Sequence, residues 1–164
     1  DLNINIYSFP MKYHPIRNEH SHDRDYIGEH WNRKYIRAVQ AILNATKGKI
    51  GRGVSFFEKA FGRNEEEYKE LLIMPETFLL FRFFFEYLGY TDKWRNAISS
   101  LSEEEKNIIM PIIFKNNFSN IEEMDVSDRI KHVLSFYKNY RAEIADPNSE
   151  LFKMKQEFEK KRTE

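Results

Sequence analysis

The sequence predicts an all-α fold, a multi-helix bundle with one orphan N-terminal β-strand, and three observations predict it. From residue 32 to the C-terminal end, apolar side chains recur at the helical period. A small polar residue followed three positions later by Glu, a helix-opening signal, stands at Ser55–Glu58, Asn64–Glu67 and Ser102–Glu105. Credible period-two alternation is confined to Leu2–Phe9.

In that first segment Leu2, Ile4 and Ile6 fall on one face, Asn3, Asn5 and Tyr7 on the other, and Pro10 closes it by removing a ladder donor. A single strand cannot satisfy its own backbone donors and acceptors. Its pair is therefore expected outside this chain: a partner subunit, a symmetry mate, or the rest of a longer polypeptide. With a start at Asp1, the chain reads as a fragment. Residues 1–31 are expected to form the strand and an irregular loop, and residues 32–164 a helical domain.

The first helix is expected over 32–47, with Tyr35, Val39, Ile42 and Leu43 in a stripe and Gly48 just past its end. A short helix should run from the Ser55 box to Phe61, stopped by Gly62, and another from Asn64 to just before Pro75. Pro75–Leu88 holds Phe78-Leu-Leu-Phe-Arg-Phe-Phe-Phe85, apolar nearly all round, and reads as one central buried helix. Its single charge, Arg82, should reach the surface on its long stem or meet a carboxylate. Thr91 is expected to cap a piece running through Trp94 to Ile98, and Pro111 to kink or end the helix opened at Ser102. Ser127–Ala145 carries Ile130, Val133, Leu134, Tyr137 and Tyr140 on one side. After the turn Asp146-Pro-Asn-Ser149, a last amphipathic helix aligns Leu151, Met154 and Phe158.

Composition excludes several function classes. The chain has 164 residues, 26 basic and 26 acidic side chains and no cysteine. A balanced charge is not that of a nucleic-acid binder. Without cysteine there is no disulfide scaffold, thiol nucleophile, cysteine zinc site or cluster ligation by this chain. The longest apolar stretch, Ile108–Phe114, falls far short of the roughly 18 residues of a membrane span, and no signal peptide opens the chain. A cytoplasmic location follows as the expectation.

Four histidines, His14, His20, His22 and His30, cluster with Asp23, Asp25 and Glu29 in the loop before residue 32. Imidazoles beside carboxylates suit Zn, Mn or non-haem Fe, and His20 with His22 is the candidate pair. No helical His-x-x-x-His spacing supports it, so a solvated polar loop is the expected reading and no metal is assigned. An all-α metal phosphohydrolase starting from His22-Asp23 lacks its further ligands. Lys47-Gly-Lys-Ile-Gly-Arg-Gly53 has the parts of a phosphate cradle but not the P-loop pattern, and reads as a helix–helix connection. Glu65–Glu67 and Glu103–Glu105 are first-turn acids that meet the positive end of a helix dipole. No catalytic residues are assigned.

Three stretches carry a family resemblance: Ser8-Phe-Pro-Met-Lys-Tyr-His-Pro-Ile16, Asp25-Tyr-Ile-Gly-Glu-His-Trp-Asn32 and Tyr35–Gly48. They resemble the C-terminal part of radical S-adenosylmethionine proteins of the cobalamin-binding-domain-associated type. Phe56-Phe-Glu-Lys-Ala-Phe-Gly62 and Met74-Pro-Glu-Thr77 fit the same likeness, which spans roughly residues 2–90. It implies that Ile6-Tyr-Ser-Phe-Pro-Met11 ends the last strand of a missing barrel, and that Ser8, Phe9, Pro10 and Met11 border its cofactor or substrate pocket. S-adenosylmethionine, a 4Fe–4S cluster and cobalamin would belong to the parent protein, none of them to this chain. The departure is the absent Cys-x-x-x-Cys-x-x-Cys motif, without which this piece cannot cleave S-adenosylmethionine. The expected function is a non-catalytic helical C-terminal region that covers or shapes the substrate side of the barrel. Its partner is the remainder of the parent polypeptide. The alternative is a free-standing interaction module that adds its strand to a partner's exposed sheet edge.

Overall fold

A computed structural model describes residues 15–48 and 54–163. Among them it forms ten α-helices, one 3-10 turn and no strand. The Leu2–Phe9 segment lies outside the described residues. The chain divides into two compact units. The first takes the residues up to Met74 together with Ile108–Asn117, and the second takes Pro75–Asn107 together with Phe118 onward.

The first unit contains α1 (Arg33–Ala45), α2 (Val54–Phe61) and α3 (Glu65–Ile73). Asn32 caps α1, its Oδ1 accepting the Tyr35 N–H at 2.9 Å. At the other end the helix stops earlier than expected: Thr46 is the C-cap, Lys47 takes the left-handed C′ position at φ +54°, and Gly48 stands one residue further on at φ +64°, its N–H donating to the Leu43 carbonyl as the C″ group of a Schellman motif does. Asn64 caps α3 by accepting the Glu67 N–H, while the Glu67 carboxylate returns to the Arg63 N–H. Both α1 and α2 pack on α3. Ala38, Ala41, Ile42, Leu71 and Met74 are buried there, joined by Ile109 and Ile113. Tyr35 meets Phe114 edge-on at 5.4 Å.

The Ser55 box does not open α2, which already begins at Val54 and leaves Ser55 inside the first turn. Gly62 is needed where it stands. It has φ +90°, and a Cβ there would sit 2.8 Å from the Glu67 Cβ and 2.9 Å from the Tyr68 nitrogen.

In the second unit the expected continuous helix over 75–88 is two short ones, α4 (Glu76–Leu80) and α5 (Arg82–Tyr87). Phe81, at φ −121° and ψ 42°, breaks them apart. Packing gives the reason. Residues seven apart lie about 10.5 Å apart along a straight helix, yet the Phe78 and Phe85 rings stack at 4.5 Å. The bend closes that distance, and Tyr90 and Tyr140 complete the cluster around both rings. Nor is the run buried on every side. Phe83 and Tyr87 are about half exposed, beneath Arg162 and Lys161 of the last helix. Arg82 does meet a carboxylate, Glu86, at 3.1 Å.

Helix α6 (Tyr90–Ser99) starts at Gly89 with φ +72°, so Thr91 lies inside it and caps nothing. Its hydroxyl is buried without a hydrogen-bond partner. Helix α7 (Glu103–Lys115) opens on the expected box: Glu105 N–H donates to Ser102 Oγ, and Ser102 N–H donates to the Glu105 carboxylate. That backbone donor, helped by Ser127 and Arg129, holds the Glu105 carboxyl below its ordinary range. The helix runs on through the exposed Pro111, so the proline does not end it; having no N–H, it cannot serve the Asn107 carbonyl.

The expected helix over 127–145 is also divided, into α8 (Asp128–Ser135) and α9 (Arg141–Ala145), followed by α10 (Glu150–Thr163). The interruption at 136–140 turns Tyr137 inward, stacked on Phe118 at 4.6 Å, and Tyr140 into the Phe78 cluster. Trp94, fully buried, sits with Ile130, Val133 and Leu134 in the core of this unit.

Candidate functional site

The loop ahead of α1 is a chain of tight turns. Backbone bonds join Ser21 to Asn18, Asp23 to His20, Tyr26 to Asp23 and Trp31 to Gly28. The side chains of Asn18 and Asp23 accept the N–H groups two residues on, the local bonding that suits these residues to turns. Within it His20 stacks on Tyr26 at 4.4 Å, with its Nε2 3.4 Å from Glu19. His22 and His30 are exposed. Among the described residues no group of three His, Asp or Glu is disposed to hold a metal, so His20 and His22 gain no third ligand there. His132 stands on α8, edge-on to Phe136 at 5.2 Å. Ser8, Phe9, Pro10, Met11 and His14 lie outside the described residues, as does most of the Lys47–Gly53 stretch.

Two features of the first unit had no forecast. Lys34, in the first turn of α1, is fully buried, and its Nζ donates to the Met74 carbonyl at 2.5 Å. Met74 caps the C-terminus of α3, where carbonyls lack helical donors and the dipole favours a cation. Lys34 thus ties the start of α1 to the end of α3. A lysine between an arginine and a tyrosine gives no sign in the sequence of being the buried one.

The second feature is a cavity of about 570 Å³ lined by Ile27, Arg33, Ile36, Arg37, Gln40 and the Lys115–Asn117 segment. Arg33, Ile36, Arg37 and Gln40 are spaced three and four apart, so they share one face of α1. Lys115 ends α7, and Asn116, at φ +51°, turns the chain so that 115–117 borders the same space. Arg37 Nη1 donates to Gln40 Oε1 at 3.3 Å, and Arg33 comes to 3.8 Å from Asp25. Among the described residues no carboxylate lines the cavity. The described lining thus joins three cationic side chains and three amides to two isoleucines. A partial signal existed: α1 carries Arg33, Lys34 and Arg37 and no acid.

Comparison of the chain with protein-family models, with curated proteins and with solved structures finds no match in any of the three.

Proposed function

We propose that this chain is a non-catalytic helical C-terminal region of a radical S-adenosylmethionine-like iron–sulfur protein. In that reading it covers or shapes the substrate side of a barrel supplied by the preceding polypeptide. The parent protein holds the S-adenosylmethionine, the 4Fe–4S cluster and any cobalamin, because this chain has no cysteine to ligate a cluster.

One observation carries the reading. Ile16, Trp31 and Phe57 each fall within a stretch that bears the family resemblance, and they are 89 %, 49 % and 61 % exposed. Their place in those stretches is not explained by burial in the chain's own core. Covering such side chains against a neighbouring surface is worth about 1.5–3 kcal/mol each.

The coding sequence upstream of Asp1 tests the proposal directly. A Cys-x-x-x-Cys-x-x-Cys motif in frame is expected there, and an in-frame stop codon overturns the reading. Purified without oxygen, the parent truncated after residue 31 should keep its cluster absorption and lose substrate turnover. Loss of the cluster itself would make the helical region part of the cluster-holding fold.

A further inference from the structure

We infer that the exposed aromatic strip where α5 meets α10 docks an acidic peptide segment of a partner protein, with apolar side chains on its rings and a carboxylate on Arg162. The strip belongs to the second unit, whereas Ile16, Trp31 and Phe57 belong to the first, so the inference does not depend on the parentage proposed above. Phe83 and Tyr87 are four residues apart on α5 and share one face of it. They are 53 % and 54 % exposed. The Phe158 ring of α10 meets Tyr87 at 5.1 Å, and the Arg162 guanidinium lies 5.5 Å from the centroids of both Phe83 and Phe158. Neighbouring exposed rings with a charged rim are what an interaction surface presents, and Tyr, Phe and Arg are its usual anchors.

A guanidinium stacked on rings keeps its N–H donors in its own plane, a fork that matches a carboxylate bidentately. The neighbouring charges select who supplies that carboxylate. Lys161 donates to the Tyr87 hydroxyl at 2.9 Å and stands in the field of Glu157. Glu159 pairs with Lys155, and Glu86 with Arg82. Acids therefore alternate with cations beside the rings, and a uniformly anionic surface, such as a lipid bilayer, meets repulsion at each of them. A peptide that presents one carboxylate at a chosen position reaches Arg162 and keeps clear of Glu157 and Glu159. Phe83 and Tyr87 stand about 6 Å apart along the helix axis. Alternate side chains of an extended peptide, roughly 6.7 Å apart, match that spacing.

Panning a phage-displayed library of random dodecapeptides on the full chain tests the inference. The selected peptides should share an acidic residue beside two apolar ones, and a synthetic copy should bind saturably by fluorescence anisotropy. Arg162→Gln and Phe83→Ala should each weaken that binding about tenfold, the first by the worth of a charge-assisted hydrogen bond and the second by that of an aromatic anchor. Exchanging the peptide's acid for its amide should cost the same against the unaltered chain and nothing further against Arg162→Gln. Arg162 is exposed and Phe83 half exposed, so both variants should keep the helical circular dichroism of the parent. No shared sequence, a shared sequence without an acid, or an affinity that the two substitutions leave unchanged overturns the inference. Sedimentation with phosphatidylserine vesicles that Phe83→Ala abolishes overturns it in favour of a membrane.

Discussion

Tyr137 holds the most consequential proton in the second unit. Burial pushes its hydroxyl well above the ordinary tyrosine value of 10.0, and the nearby Trp94 indole N–H offsets only part of that. That N–H closes no well-formed hydrogen bond. The folded protein therefore binds this proton more tightly than the unfolded chain does. The associated stability is whole below pH about 10 and is lost as pH rises beyond it, at about 1.4 kcal/mol per unit for one proton. Urea unfolding followed across that alkaline range should show the decline, and Tyr137→Phe should make it shallower by one proton's worth. An equal slope in the variant would assign the effect to other groups. At this scale the sequence was a partial guide. It placed Tyr137 on the apolar side of its segment, but it read Thr91 as a cap when Gly89 takes that position and leaves the Thr91 hydroxyl buried and unpartnered.

Elements were legible where their causes are local. The Ser102–Glu105 box and the Asn64 cap each depend on residues within a few positions, and each is found as expected, while the C′ place expected of Gly48 is taken by Lys47. The breaks at Phe81 and at 136–140 depend on rings brought together from far along the chain, such as Phe78, Phe85 and Tyr140. Periodicity alone cannot show that. Pro111 does not end its helix, which continues to Lys115; lacking an N–H, it forgoes one hydrogen bond there. Gly62 supplies the sharpest test at this scale. With a positive φ and backbone atoms crowding the place of a side chain, Gly62→Ala should destabilise the chain by about 1–3 kcal/mol in chemical denaturation. A neutral result would mean that the α2–α3 turn relaxes freely.

For the molecule as a whole, what the sequence concealed is the assembly of each unit from separated stretches. Ile109 and Ile113 complete the core around α1 and α3, and Lys115–Asn117 completes a cavity begun at Ile27, far back along the chain. No spacing rule connects Arg33 to Lys115, so the candidate site could not be read along the chain. The two units also divide the tryptophans between them, Trp31 in the first and Trp94 in the second. One is half exposed and the other has no contact with solvent. Fluorescence therefore gives each unit its own reporter. Emission should separate into a red-shifted component open to acrylamide quenching and a blue-shifted, protected one. Trp31→Phe should abolish the first and leave the second. With the two single-tryptophan variants, coincident denaturation curves would mean that the units melt together, and separated midpoints would give each its own stability. The chain thus carries, without any added label, the means of telling whether it unfolds as one body or as two.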